Sequence, residues 1–151
     1  MDDPALPTDA HREALRALRR INRLSGTSAL IWRAIRAQED LRDAKTLSVL
    51  DIATGSGDVL LALHRRMSRA GVSGDHRGVA ISPTAVAESR RNAERSGADV
   101  TFEQRDVLRD PLPQDFDVVT CSLFVHHLTW DQAIRVLGRM REATRRMVIV
   151  S

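Results

Sequence analysis

Tyrosine is absent from this chain, and three Phe and two Trp supply all of its aromatic surface. So few rings argue against a stacking platform for single-stranded nucleic acid, where successive bases lie on aromatic faces. A single cysteine, Cys121, excludes an internal disulfide and a cysteine-based zinc site within one chain. Lysine is nearly missing too: Lys45 is the only one among 23 basic residues. The basic character is therefore arginine, ascribed here to genomic composition, and a net charge of +3 creates no broad basic field. No apolar run approaches the ~20 residues that cross a bilayer. The first residues, M-D-D-P-A-L-P-T-D, are acidic and lack a signal-peptide core. These absences predict a cytoplasmic protein with neither nucleic acid nor membrane as partner.

What is present is a chain of 151 residues, 42% of them hydrophobic, enough for one domain with a proper core. Residues 1–8 read as a loose tail. Thr8 or Asp9 can cap a helix to about Leu24, with Leu15, Leu18, Ile21 and Leu24 on one face. A second helix is predicted over 28–42, with Ile31, Ala34, Ile35 and Leu41 inward. Residues 1–45 would thus form an N-terminal helical cap on a domain spanning 46–151. From Thr46 strand and helix alternate, which favours a parallel α/β sheet. Strands are predicted over 47–52, 77–81, 99–104, 116–122 and 147–150. Helices are predicted over 58–70, 83–96 and 130–143, the last carrying Ile134, Leu137 and Met140. Ser82-Pro83 supplies an N-cap followed by proline at the first helical position. Right-handed crossovers order the strands 3-2-1-4-5 and leave strand five as an edge, where a second copy could pair to give a homodimer.

The most informative stretch is V-L-D-I-A-T-G-S-G-D, residues 49–58. An apolar run ends near an acid, opens into a glycine bend and enters a helix, the layout of a nucleotide-type turn at the carboxyl end of a first strand. Gly55 and Gly57 remove Cβ atoms where a ligand must come close. The turn is not the dinucleotide fingerprint, because the third glycine of G-x-G-x-x-G would fall on Leu60. That absence, and Ala80 where an acid is needed, disfavour an NAD-dependent oxidoreductase.

The pattern is instead similar to the D-x-G-x-G motif of class I S-adenosylmethionine-dependent methyltransferases. Three further segments resemble that family in order: G-V-A-I-S-P at 78–83, R-D-V at 105–107, and F-D-V-V-T-C-S-L-F-V-H-H-L at 116–128. The H-H-L ending is similar to small-molecule members of the ubiquinone/menaquinone-biosynthesis type. The resemblance implies a Rossmann-like doubly wound sheet, S-adenosylmethionine as cofactor, S-adenosylhomocysteine as product, and a small aromatic, quinone-like or polyketide-like substrate. The family usually adds a helix and two antiparallel strands beyond the fifth strand, and those are not in this sequence. The alternative is a truncated or degenerate, non-catalytic module for binding or dimerisation. The absence of an N/D-P-P-Y-type motif at Ser122-Leu123-Phe124-Val125 argues against base methylation.

By the same resemblance Asp51, Ala53, Thr54, Gly55, Ser56 and Gly57 would hold the methionine part of the cofactor. Asp51 could equally satisfy only loop N–H groups, and the two hydroxyls could close local turns. Ala53 replaces a common glycine, and tolerance of its methyl is expected. Ala80 stands where the family has the acid that accepts from the ribose hydroxyls. An alanine accepts nothing, and losing a bond to a charged group costs on the order of 1.5–3 kcal/mol. Ile81 and Ser122 are placed at the cofactor by the same motifs, with Ser82 a weak substitute acceptor. Asp106 and Val107 would meet the adenine, although Asp106 could simply cap a turn. His126 or His127 is the candidate base, needed only if the acceptor must lose a proton; otherwise the pair is part of the loop. Phe124 and Trp130 either line the pocket or pack between helix and sheet. No metal is expected, with Asp131 the only acid close to the histidines. His11, His64 and His76, and the Arg65-Arg66 and Arg90-Arg91 pairs, are expected on the surface.

Overall fold

The computed structural model describes residues 26–151. The helix expected up to Leu24, and His11, lie outside the described residues. The elements are α1 (Thr27–Ala37), α2 (Glu39–Arg42), β1 (Val49–Ile52), α3 (Asp58–Arg69), β2 (His76–Ala80), α4 (Pro83–Ser96), β3 (Thr101–Gln104), β4 (Phe116–Cys121), a short 3-10 turn (Val125–His127), α5 (Trp130–Ala143) and β5 (Thr144–Val150). Five parallel strands lie in the order β3-β2-β1-β4-β5, as the crossover rule requires. β1 is central and buried along its whole length, so it reads as a near-continuous apolar run. Asp51 is the exception in that run.

The two faces of the sheet carry two apolar clusters. One holds Leu60, Leu63 and Met67 of α3, Val86 and Ala93 of α4, and Ile31 and Ile35 of α1. The other gathers Leu50, Ile52, Val119 and Cys121 against Val136, Met140 and Ala143 of α5. At the amino ends of β1 and β4 a reciprocal clamp ties the strands. Asp117 accepts from the Ser48 N–H and hydroxyl, both at 2.9 Å, while its own N–H donates to the Ser48 hydroxyl at 2.9 Å. The opposite, carboxyl ends are left to loops.

Helix ends follow their caps. The Ser82 hydroxyl accepts from the Ala85 N–H at 3.2 Å with Pro83 behind it, and Gly97 closes α4 in the left-handed region. Thr129 and Gln132 form a capping box at α5.

Two helix readings need correction. The predicted single helix over 28–42 is broken at Gln38, whose backbone is extended. In a continuous helix Leu41 would lie about 240° around from Ile35. The break rotates it into the core with Ile31 and Ile35. On α5 the buried stripe is Val136, Met140 and Ala143, and Trp130, Ile134 and Leu137 face solvent. The apolar residues there occupy two stripes, and only one can face the sheet.

One surface expectation also fails, at His76, whereas Arg90 is exposed as expected. Arg90 donates twice to the Phe102 carbonyl, at 2.7 and 3.0 Å, and so ties α4 to β3. His76 is buried on β2, its Nδ1 2.7 Å from the Nδ1 of His64 on α3. The His76 Nε2 faces the Leu47 carbonyl at 3.2 Å, so that nitrogen carries the proton. His76 Nδ1 then accepts, and His64 Nδ1 donates: one proton serves the pair. Burial is the main cause holding both histidines below the usual imidazole range, with His64 adding to it for His76. Neutral rings are the folded form, so this contribution is complete above about pH 6.5 and is lost as pH falls through that value. Thermal melts of wild type and His64→Ala at several pH values check it. The wild-type advantage should be about 1 kcal/mol at pH 8 and should vanish toward pH 5.

Candidate active site at the carboxyl ends of the strands

The bend after β1 is built from backbone conformations that few side chains adopt. Ala53, Gly55 and Gly57 all have positive φ, at 52°, 57° and 78°. A Cβ on Gly55 would meet nothing within 4 Å, so the space over the bend is open. A Cβ on Gly57 would fall 2.7 Å from the Phe102 ring and 3.1 Å from the Ser89 Cβ, so this glycine lets α3 and α4 close on each other. Asn92 of α4 donates to the Ser56 carbonyl at 3.1 Å and fixes the bend from behind. The Gly55 N–H has no partner among the described residues. It sits one turn before α3, whose amino end carries a positive dipole.

Asp51 lies beneath this bend, 2% exposed, opposite Gly78 on one side and Thr120 on the other. Its Oδ2 accepts from the Thr54 hydroxyl at 2.6 Å, and its Oδ1 from the Thr120 hydroxyl at 2.7 Å. No cation pairs with it among the described residues. Burial raises its pKa from 3.8 to about 6, against the two hydroxyls, which pull it down. Burial, with Asp51 adding to it, pushes the neighbouring Cys121 thiol up to about 12, so that thiol is inert.

The structure brings the sequence-predicted residues to one rim, in different roles. The hydroxyls of Thr54 and Ser56 are spent locally, on Asp51 and on Asp58 at 2.5 Å. Ala80 ends β2 and is 4% exposed, while Ile81 beside it is 44% exposed. Asp106 caps its own turn: Oδ1 accepts from the Leu108 N–H at 2.9 Å and Oδ2 lies 3.6 Å from Arg109. Val107 is buried in the second cluster. The Ser122 hydroxyl meets the Ser151 hydroxyl at 3.0 Å, toward β5. His126 and His127 are exposed, their rings 4.0 Å apart on the turn after β4. Trp130 is 80% exposed and so is not packed between helix and sheet, whereas Phe124 packs on the second cluster. Among the described residues no group of three metal-ligating side chains occurs. Sequence reasoning missed Thr120 and Asn92. The one visible signal was a polar residue in an apolar element: Thr in V-V-T-C, and Asn on the inner stripe of α4.

Two substitutions probe the bend. Ala53 sits in the left-handed region, which costs an L-residue roughly 1–2 kcal/mol. Ala53→Gly relieves it, less the extra freedom glycine gains when unfolded. A denaturant titration should show a gain of about 0.5–1 kcal/mol. A raised folded pKa means the Asp51 contribution is complete below pH 3.8 and lost as pH rises through about 6. Asp51→Asn should therefore melt higher than wild type at pH 8, by at most about 3 kcal/mol, with the gain fading toward pH 4.

Residues 49–146 match the family described as a methyltransferase domain. The chain is 34% identical over 133 residues to a demethylmenaquinone methyltransferase of Thermus thermophilus, covering 86% of this chain and 58% of that protein. It is 30% identical over 97 residues to a release factor glutamine methyltransferase of Flavobacterium psychrophilum, covering 64% of this chain and 33% of that one. The chain thus spans about half the length, or less, of these curated relatives. Magnesium protoporphyrin IX methyltransferase from Synechocystis, solved with bound SAM, superposes with a TM-score of 0.66 at 23% identity, over 82% of this chain and 56% of that one. That likeness speaks to the fold. With the bend at 49–57 inside the matched region and the strand order 3-2-1-4-5, the chain belongs to the class I S-adenosylmethionine-dependent methyltransferase family.

Proposed function

We propose that this chain binds S-adenosylmethionine across the tips of β1 to β4 and serves methyl transfer to a small acceptor. The observation that carries this reading is Asp51. A buried carboxylate with two hydroxyls and no counter-ion is an electrostatic deficit that a cationic ligand over the bend would fill. The cofactor has such a cation in its ammonium group, and its carboxylate suits the Gly55 N–H and the start of α3. Exposed Ile81 offers an apolar surface for the adenine. When bound, the sulfonium supplies an already activated methyl group, so the protein's task is alignment.

His126 and His127 are proposed at the acceptor side, as a base or as hydrogen-bond partners. Their exposure after β4 supports that role without requiring it. An aromatic or quinone-like acceptor is favoured over a protein because the quinone-type relative matches more of this chain than the release-factor type. A cytoplasmic location and a homodimer through the β5 edge belong to the same proposal.

Calorimetric titration with S-adenosylhomocysteine tests it. A cation near Asp51 favours the ionised carboxyl, so binding near pH 6 should release a fraction of a proton, and binding at pH 8 almost none. Buffers of different ionisation enthalpy read this directly. Asp51→Asn should weaken binding roughly ten- to a hundredfold. No saturable heat at millimolar ligand would leave the non-catalytic module as the reading.

A further inference from the structure

The ribose is where this chain departs from its family pattern. A nucleoside across the β1–β2 tips presents two hydroxyls at the end of β2, and Ala80 has nothing to accept them. Other candidate acceptors nearby are committed. The Ser82 hydroxyl caps α4, and the Ala80 carbonyl takes the Arg105 N–H at 2.9 Å. Glu103 pairs with Arg77 and Arg105, at 3.2 and 3.0 Å, and alternates to the other face of the sheet.

Gln104 is different. It is the register partner of Ala80 on the adjacent parallel strand. Neighbouring strands lie about 4.8 Å apart and partners share a face, so its side chain starts one strand away from the vacant acid position. Its Nε2 donates to the Ile81 carbonyl at 3.1 Å. A carbonyl only accepts, so this bond settles which end of the amide is nitrogen. The other end, Oε1, has no partner among the described residues and stands at the exposed tips of β2 and β3.

We propose that Gln104 Oε1 is the ribose acceptor of this chain, replacing the carboxylate that position 80 lacks. The inference rests on the cofactor reading above. It makes Gln104 a binding residue whose neutral oxygen recognises the ribose diol across a strand, held in aim by the Ile81 carbonyl.

Calorimetry with S-adenosylhomocysteine and its 2′-deoxyribose analogue tests it, with melts confirming that each variant is folded. Wild type should prefer the ribose form. Gln104→Ala should lose about three- to tenfold in affinity for that form and bind both forms alike. Gln104→Glu keeps an acceptor while giving up the bond to the Ile81 carbonyl, and should keep the preference for the ribose form even at lower affinity. Ala80→Asp should bind roughly ten- to a hundredfold tighter than wild type and make Gln104→Ala nearly silent. The inference is overturned if Gln104→Ala leaves affinity and preference unchanged. It is equally overturned if Gln104→Ala and Gln104→Glu weaken both ligands alike, since Gln104 would then only anchor the Ile81 loop. Binding by Ala80→Asp but not by wild type also overturns it, leaving the cofactor fold intact. If neither binds, the cofactor reading itself falls, and this inference with it.

Discussion

A carboxylate kept out of water beneath a backbone bend sets the terms for the rest of the molecule. Asp51 is held on one side by Thr54, three residues on, and on the other by Thr120, 69 residues away. Those two hydroxyls make the tips of β1 and β4 one unit. Burial still wins over them and raises the carboxyl toward neutrality. The fold tolerates this because the strand around it is apolar and fully packed, and because the amino ends of the same strands are tied by Ser48 and Asp117. Stability is concentrated at one end of the sheet, and an unmet electrostatic demand at the other.

The loops around that demand are held by local bonds, which narrows what can touch a ligand. Thr54 and Ser56, attractive as hydroxyl donors, face inward. Asp106 is bound to its own turn. Exposed at this rim are the Ile81 side chain, the amide of Gln104 and, after β4, the rings of His126 and His127. The Ile81 side chain and the Gln104 amide are neutral, and the carboxyl of Asp51 lies buried beneath the bend.

The architecture was legible because β1 and β4 are short, largely apolar runs between turn residues, and because α4 and α5 carry their own caps. Ser82-Pro83, Gly97 and Thr129 act within a few residues and can be read off the chain. The bend at 53–57 was legible for the same reason. What escaped were contacts between distant segments. Nothing near His76 announces His64 across the helix–sheet interface. The 3.6-residue period could not choose between the two apolar stripes of α5, because only the sheet decides which is inside. The helix break at Gln38 carries no glycine or proline, and follows from where Leu41 must go. At Ala53 the expected ease of the substitution overlooked the sign of φ, since the methyl is small but the backbone beneath it is not one that alanine favours.

The ring of Phe102 occupies room left by two glycines from different elements. A methyl at Gly78 would come 2.6 Å from that ring, and one at Gly57 2.7 Å. Gly78 has an ordinary backbone, so what forbids a larger residue there is the ring together with the Thr54 Cγ2, which a methyl would meet at 2.9 Å. Positions 54, 78 and 102 are therefore free to drift only together: a lineage that first shortens the aromatic and trims the threonine methyl opens the way to alanine, and one that tries the reverse order passes through a damaged intermediate.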